Sequence, residues 1–173
     1  MTQIALTRGK STTVDDEDYK ELSKVKWHIF DNRGYGFYVA HSSTRAEDDG
    51  EQQTVLMHRA IWEYHHGSIP KGKQIDHING NRLDNRLENL RLVTRHQNMF
   101  NACKKKYRAD TPPSSEYKGV SWDKSRDRWV TRITGIKTFI GRFDSEEEAA
   151  RAYDAVARER GEYARLNFPN EGD

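Results

Sequence analysis

The segment IDHINGNRLDNRLENLRLVTRHQN, residues 75–98, sets the adjacent pair Asp76 and His77 among asparagines and arginines. A carboxylate oxygen from Asp76 and an amide oxygen from Asn98 make a sparse, hard site. It suits one divalent ion that keeps waters and takes substrate phosphate oxygens as its other ligands, Mg²⁺ or Mn²⁺ in its place. His77, beside that ligand, has an ordinary pKa of about 6.5, so its imidazole can take a proton from an attacking water near neutral pH. An imidazole works as a base when its plane and tautomer are held, and the Asn89 side-chain oxygen accepting from the ring N–H would hold them. Together these groups match metal-assisted hydrolysis of a phosphodiester. Singly they are weak signals, because asparagines beside Gly80 are common turn formers.

The elements that must position them follow from local patterns. GKQIDHI has strand character, and the Asn-Gly of NGN favours a tight hairpin turn, because those residues accept positive φ. LENLRLV reads as a returning strand or an extended loop, and Thr94 can cap a helix through RHQNMFNACKKK. The pattern is hairpin then helix across residues 73–105. Upstream, residues 1–57 read as a small α+β element: IALTRGK, KWHIF, GYGFYVAHS and TVLMH as strands, and DDEDYKELSKV as a helix with acidic residues at its N-terminus. RAEDDGEQQ reads as an exposed hairpin loop, and MHRAIWEYHHG as a short helix ended by Gly67. His65 and His66 are neighbours that cannot share a helix face, so they read as surface residues rather than a metal pair.

Composition narrows the function class. Of 173 residues 34% are hydrophobic and mean hydropathy is −1.03, which favours two small units over one large core. No apolar run is long enough to span a membrane, and MTQIALTRGK lacks the apolar stretch of a signal peptide. The expectation is therefore a soluble, cytoplasmic chain. The lone Cys103 rules out an intrachain disulfide. The net charge of +2 is unevenly spread: residues 1–57 hold 7 basic and 10 acidic side chains, and residues 58–108 hold 11 and 4. So basic a segment in a near-neutral chain points to a polyanion.

The spacing of DHINGN, DNRLENLRLVT and a helical asparagine closely resembles the HNH endonuclease family, in its phage and intron-encoded homing branch. The resemblance covers residues 55–101. It implies the ββα-metal fold, with His77 as first H and general base, Asn89 as the central N that orients it, and Asp76 and Asn98 as metal ligands. The family name ends in a second histidine, and this chain has Asn98 there, as the H-N-N variant of the homing branch does. His96 and Asn101 lie within one turn of it. His58-Arg59 in MHRAIW matches the family's upstream HR, with fold support preferred to a phosphate contact.

Residues 104–115, with three lysines and Pro112-Pro113, read as a basic linker. Beyond it YKGVSWD, RWVTRIT and KTFIGRF are strand-like. SEEEAARAYDAVARERG is a helix with a Ser145/Glu148 capping box, an apolar face at Ala149, Ala152, Tyr153 and Val156, and a stop at Gly161. Residues 116–142 carry 7 basic and 3 acidic side chains, against 3 and 7 in residues 144–163, so the sheet is the side for a polyanion. These stretches, with LNFP, resemble the APETALA/ethylene-response-factor DNA-binding domain, in which such a sheet docks in the major groove. By position the resemblance implies DNA contacts from Lys118, Arg132, Lys137 and Phe139. Arg126 and Arg128 at the first turn are expected on phosphate, and Trp122 either stacks on sugar or closes the core. Ser121 and Asp123 stand where the plant domains have arginines, and Arg132 replaces a glutamate, so plant target specificity should not transfer.

The fold class expected is α+β: a ββα-metal nuclease core (58–103) after an α+β element (1–57), a linker (104–115), and a three-stranded antiparallel sheet on one helix (116–169). The expected function is a homing-type, Mg²⁺-dependent endonuclease, phage-encoded or from a bacterial host, that nicks double-stranded DNA as a monomer. Its rival is a DNA-binding regulator with a vestigial nuclease centre. An RNA-binding role is disfavoured, because neither unit has the stacking aromatics of a single-strand reader.

Overall fold

The computed structural model describes residues 1–31, 36–44, 52–102, 113–133, 138–159 and 161–171. They fall into two compact units, Met1–Thr94 and Arg95–Asp173. Among the described residues, no helix is long and apolar enough to cross a membrane. Most of RAEDDGEQQ, Cys103, most of the basic linker, and Lys137 lie outside the described residues.

The first unit opens with an antiparallel ribbon of β1 (Thr2–Ala5) and β2 (Ser11–Val14). IALTRGK is therefore not one strand. The chain reverses at Arg8 and Gly9, both at positive φ (61° and 64°), and Leu6 N donates to Lys10 O at 2.8 Å across the turn. Next comes α1 (Asp16–Leu22), whose first turn carries Asp16, Glu17 and Asp18 against the helix dipole. A second sheet of β3 (His28–Asp31), β4 (Phe37–Thr44) and β5 (Gln52–Leu56) is antiparallel throughout. The helix α2 (Met57–His66) follows directly and ends at Gly67, with φ 79°.

The ribbon β6 (Lys73–His77) and β7 (Leu90–Thr94) pairs Asp76 with Arg91 and His77 with Leu90. Asn-Gly does not make a two-residue turn here. The connection runs over residues 78–89 and is shaped by short side chains that bond their own backbone. Asn79 Oδ1 accepts from Asn81 N at 2.7 Å, Asn81 Oδ1 accepts from Leu83 N at 3.1 Å, and a 3₁₀ turn at Leu87–Asn89 leads into β7. Val14, Leu22, Trp27, Val39, Met57, Ile61, Ile75 and Leu90 form one core. The core thus draws on both sides of residue 57, and the N-terminal element is packed into the same body as the hairpin.

The second unit holds α3 (Arg95–Asn101), a sheet of β8 (Val120–Asp123), β9 (Arg128–Ile133) and β10 (Thr138–Phe143) in the order β10-β9-β8, and α4 (Glu146–Arg158). The capping box forms: Ser145 Oγ accepts from Glu148 N at 3.3 Å. Val120 packs on Ala149 and Ala150, and Ile133 on Tyr153 and Ala157, so small residues let the helix lie close to the sheet. The LNFP tail is fastened by a buried carboxylate. Asp154 accepts from Asn167 N at 2.8 Å and Phe168 N at 2.7 Å, and Asn167 Oδ1 accepts from Lys118 N at 2.7 Å.

Candidate active site and nucleic-acid interface

Asp76 and His77 end β6, at 8% and 4% exposure. Opposite Asp76 in the ladder, Arg91 donates to its Oδ2 from Nε at 3.1 Å and from Nη2 at 3.0 Å. Such a forked ion pair fixes the orientation of a carboxylate. The His77 ring lies against the buried ring of His58, with centroids 5.1 Å apart and the ring planes at 62°. His58 sits in turn 5.4 Å from the Tyr38 ring. Burial pushes the His58 pKa down to about 3, so it packs as a neutral aromatic and the fold-support reading of His58 accounts for its place. His77 is lowered too, first by burial and against the pull of its hydrogen bond to Asn85 and the Asp76 charge. Its imidazole is therefore neutral, able to accept a proton, at neutral pH.

The ring partner described for His77 is Asn85: Nε2 stands 3.2 Å from Asn85 Oδ1. Asn89, expected on that ring, spends its amide otherwise. Its Oδ1 accepts from Asn79 N at 3.0 Å, its Nδ2 donates to Asp84 O at 2.7 Å, and its carbonyl accepts from Ile78 N at 2.9 Å. Asn89 thus closes the backbone turn that leaves His77, acting on the chain where the sequence suggested the ring. Asp84 is held by Arg86 Nε at 2.7 Å and Asn79 Nδ2 at 2.8 Å, which keep its carboxyl below the usual carboxylate range. Asn98 lies on α3 and belongs to the second unit, as do His96 and Asn101. Among the described residues no three His, Cys, Asp or Glu side chains gather as a metal cluster. The neighbours His65 and His66 do not form a metal pair: His65 Nε2 pairs with Asp18 Oδ1 at 2.8 Å and His66 stacks on Trp62.

In the second unit Phe139 is 47% exposed and is paired across the ladder with the exposed Arg132. Arg142 lies over the Phe139 ring, 4.9 Å from its centroid, and Arg132 stands at 6.0 Å. Arg142 escaped the sequence reading because strict alternation sets it opposite Phe139; the register shift between Phe139 and Gly141 brings the two together. Arg126 is exposed beside Asp123 at 3.7 Å, and Arg128 pairs with Asp144. Trp122 meets Trp129 edge to face, with centroids 4.9 Å apart, and is half-buried. Lys118 needs correction as a DNA contact: it is 8% exposed and its Nζ donates to Phe100 O, so its ammonium is spent inside the unit.

Comparison with known proteins agrees with both halves. A family model described as HNH endonuclease matches residues 55–100, and one described as AP2 domain matches residues 115–162. An HNH endonuclease of Acanthamoeba polyphaga mimivirus is 33% identical over 167 residues, spanning 94% of this chain and 78% of the relative. A prophage-derived protein of Bacillus subtilis, named as an HNH homing endonuclease, is 42% identical over 52 residues, 30% of each chain. The AP2-like ethylene-responsive transcription factor TOE2 of Arabidopsis thaliana is 40% identical over 68 residues, 38% of this chain and 14% of its own. The buried Asp-His pair on its β-ribbon lies within the HNH match, the basic three-stranded sheet on its amphipathic helix lies within the AP2 match, and the chain belongs to the HNH endonuclease family and carries an AP2 domain.

Proposed function

We propose that the chain is a homing-type endonuclease that nicks one strand of duplex DNA at a site chosen by its AP2 domain. The observation that supports it most is the adjacency of Asp76 and His77, nearly withdrawn from solvent on β6 within the segment that matches the HNH family. In this reading residues 58–103 are a ββα-metal core, residues 116–169 the reader, and residues 104–115 the joint. The B. subtilis relative, named for homing, supports the type. The protein would work as a monomer in the cytoplasm of a bacterial or phage-infected cell.

The donor types suit a hard divalent ion: Asp76 offers carboxylate oxygen, oriented by Arg91, and Asn98, by its place in the HNH pattern, offers amide oxygen. These two would hold one Mg²⁺ or Mn²⁺. When bound, such an ion stabilises the charge that builds on the phosphate and on the leaving oxygen. His77 takes the proton of the attacking water as the new phosphorus–oxygen bond forms and the bond to the leaving oxygen breaks. Asn89 fixes the turn from which His77 projects. A rival reading, a DNA-binding regulator with a vestigial centre, draws on the AP2 domain and on the Arg91 guanidinium that already sits on Asp76; it requires that no DNA be cut.

One centre with one base hydrolyses one phosphodiester at a time, and two different DNA-contacting units in one chain favour an asymmetric site over a palindrome. A time course on supercoiled plasmid carrying the site, with Mg²⁺, is expected to accumulate open circles first. Linear product without an open-circle intermediate would contradict nicking, and uncut plasmid would favour the regulator.

On the reader, Arg132 with Phe139 forms the exposed edge expected to meet bases, with Lys137, Arg126 and Arg128 as further contacts. Arg132→Ala should cost about 1–3 kcal/mol at one base position and relax choice there. It should leave the cutting rate at saturating DNA intact. Unchanged selection profiles and affinities would remove the sheet from site choice.

A further inference from the structure

The β1–β2 ribbon has no part in the function described so far, yet it reaches the base. Thr12 of β2 is 1% exposed, and its hydroxyl donates to Leu83 O at 2.8 Å. Having donated there, the same oxygen accepts from Asn85 Nδ2 at 2.8 Å. Asn85 is 1% exposed and is also gripped through its backbone: its N–H donates to Thr13 O at 2.8 Å, while Thr13 N donates to Leu83 O at 2.9 Å. Two acceptors, Thr12 Oγ and the Arg82 carbonyl at 3.4 Å, face the Asn85 nitrogen. The amide is therefore oriented with its oxygen toward His77 Nε2, 3.2 Å away. An amide oxygen only accepts, so Nε2 must carry the proton, and Nδ1 is the nitrogen left to accept one.

We propose that Asn85, locked by Thr12 of the N-terminal ribbon, is a positioning residue for His77, so that residues 1–14 serve the nuclease centre by fixing the plane and tautomer of its base. This rests on the reading of His77 as general base. The chain of donors runs one way, from His77 through Asn85 and Thr12 to the Leu83 carbonyl. Replacing the middle of it leaves the ring present but its orientation undirected. Partners that orient a functional imidazole in this manner are typically worth about 10- to 100-fold in activity.

The test uses the full-length protein with Mg²⁺ and a duplex carrying its site. Asn85→Ala and Thr12→Val are each expected to slow single-turnover cleavage at saturating DNA, Asn85→Ala by about 10- to 100-fold. The dissociation constant for DNA should stay at the parent value. Thr12→Ser, which keeps the hydroxyl, should recover most of the loss seen with Thr12→Val. A merely structural role would lower binding and thermal stability together and would not separate rate from affinity. Should Asn85→Ala not fold, ¹⁵N shifts of the His77 ring in the parent protein decide: the proton is expected on Nε2, and a neutral ring protonated on Nδ1 overturns the inference. Parent-like cleavage by Asn85→Ala and Thr12→Val, with His77→Ala inactive, overturns it while the base reading stands. Parent-like cleavage by His77→Ala overturns both.

Discussion

His77→Ala is expected to bind its DNA as tightly as the parent and to cut it at least about 10²-fold more slowly, the loss that follows removal of a general base. The ring stands next to the Asp76 carboxylate, and burial keeps it neutral, so it can accept a proton where an alanine methyl cannot. Removing a ring at 4% exposure also leaves a gap against His58, so a companion variant is needed. His77→Gln fills most of the space and can still donate to Asn85, yet has no basic nitrogen. Both variants should be equally slow under single-turnover conditions with Mg²⁺. Parent-like rates for either would remove His77 from the chemistry.

Gly119→Ala is expected to have the largest effect on stability. Its φ is +79°, and a Cβ there would lie 2.1 Å from the Tyr153 ring and 2.7 Å from the Arg132 carbonyl oxygen. Tyr153 is packed between sheet and helix and cannot retreat, while Arg132 N is bound to Gly119 O at 2.8 Å and so holds the two strands in place. Backbone strain and overpacking together amount to about 2–6 kcal/mol. That is a large share of what a unit of this size has in hand. Gly161→Ala is the control, since Gly161 has φ +82° with nothing within 4 Å of its Cβ. It carries the backbone term alone. Thermal unfolding should show a much lower midpoint for the AP2 transition in Gly119→Ala than in Gly161→Ala, with loss of sequence-selective binding. Equal midpoints for the two would mean that the close approach of Tyr153 is not what Gly119 serves.

Much of the scaffold could be read from the chain because local signals and tertiary packing agree. The Ser145/Glu148 box opens α4, Gly67 ends α2, and Ala149 and Tyr153 of the expected apolar face meet the sheet, with Ala150 and Ala157 buried beside them. What escaped depends on partners distant in sequence or on a shift in register. The reversal at Arg8 is a left-handed non-glycine residue with no strong turn signature, so a ribbon passed for one strand. The Asn-Gly pair marked a turn, but the asparagine side chains spread it over residues 78–89. Lys118 looked like a groove contact by position, and only the packed unit reveals its ammonium on the Phe100 carbonyl. Asn85 was indistinguishable from its neighbouring turn formers until Thr12, 73 residues away, identified which way its amide faces.

The account stands most directly on whether this chain cuts duplex DNA through its own Asp76–His77 centre. Incubating the full-length protein with a random duplex library and Mg²⁺, then sequencing the ends, measures it in one experiment with His77→Ala in parallel. The account predicts ends at a recurrent, asymmetric sequence on one strand, dependent on the divalent ion and absent from the variant. Ends that are equally abundant with His77→Ala, or no ends above background from the parent, would contradict it.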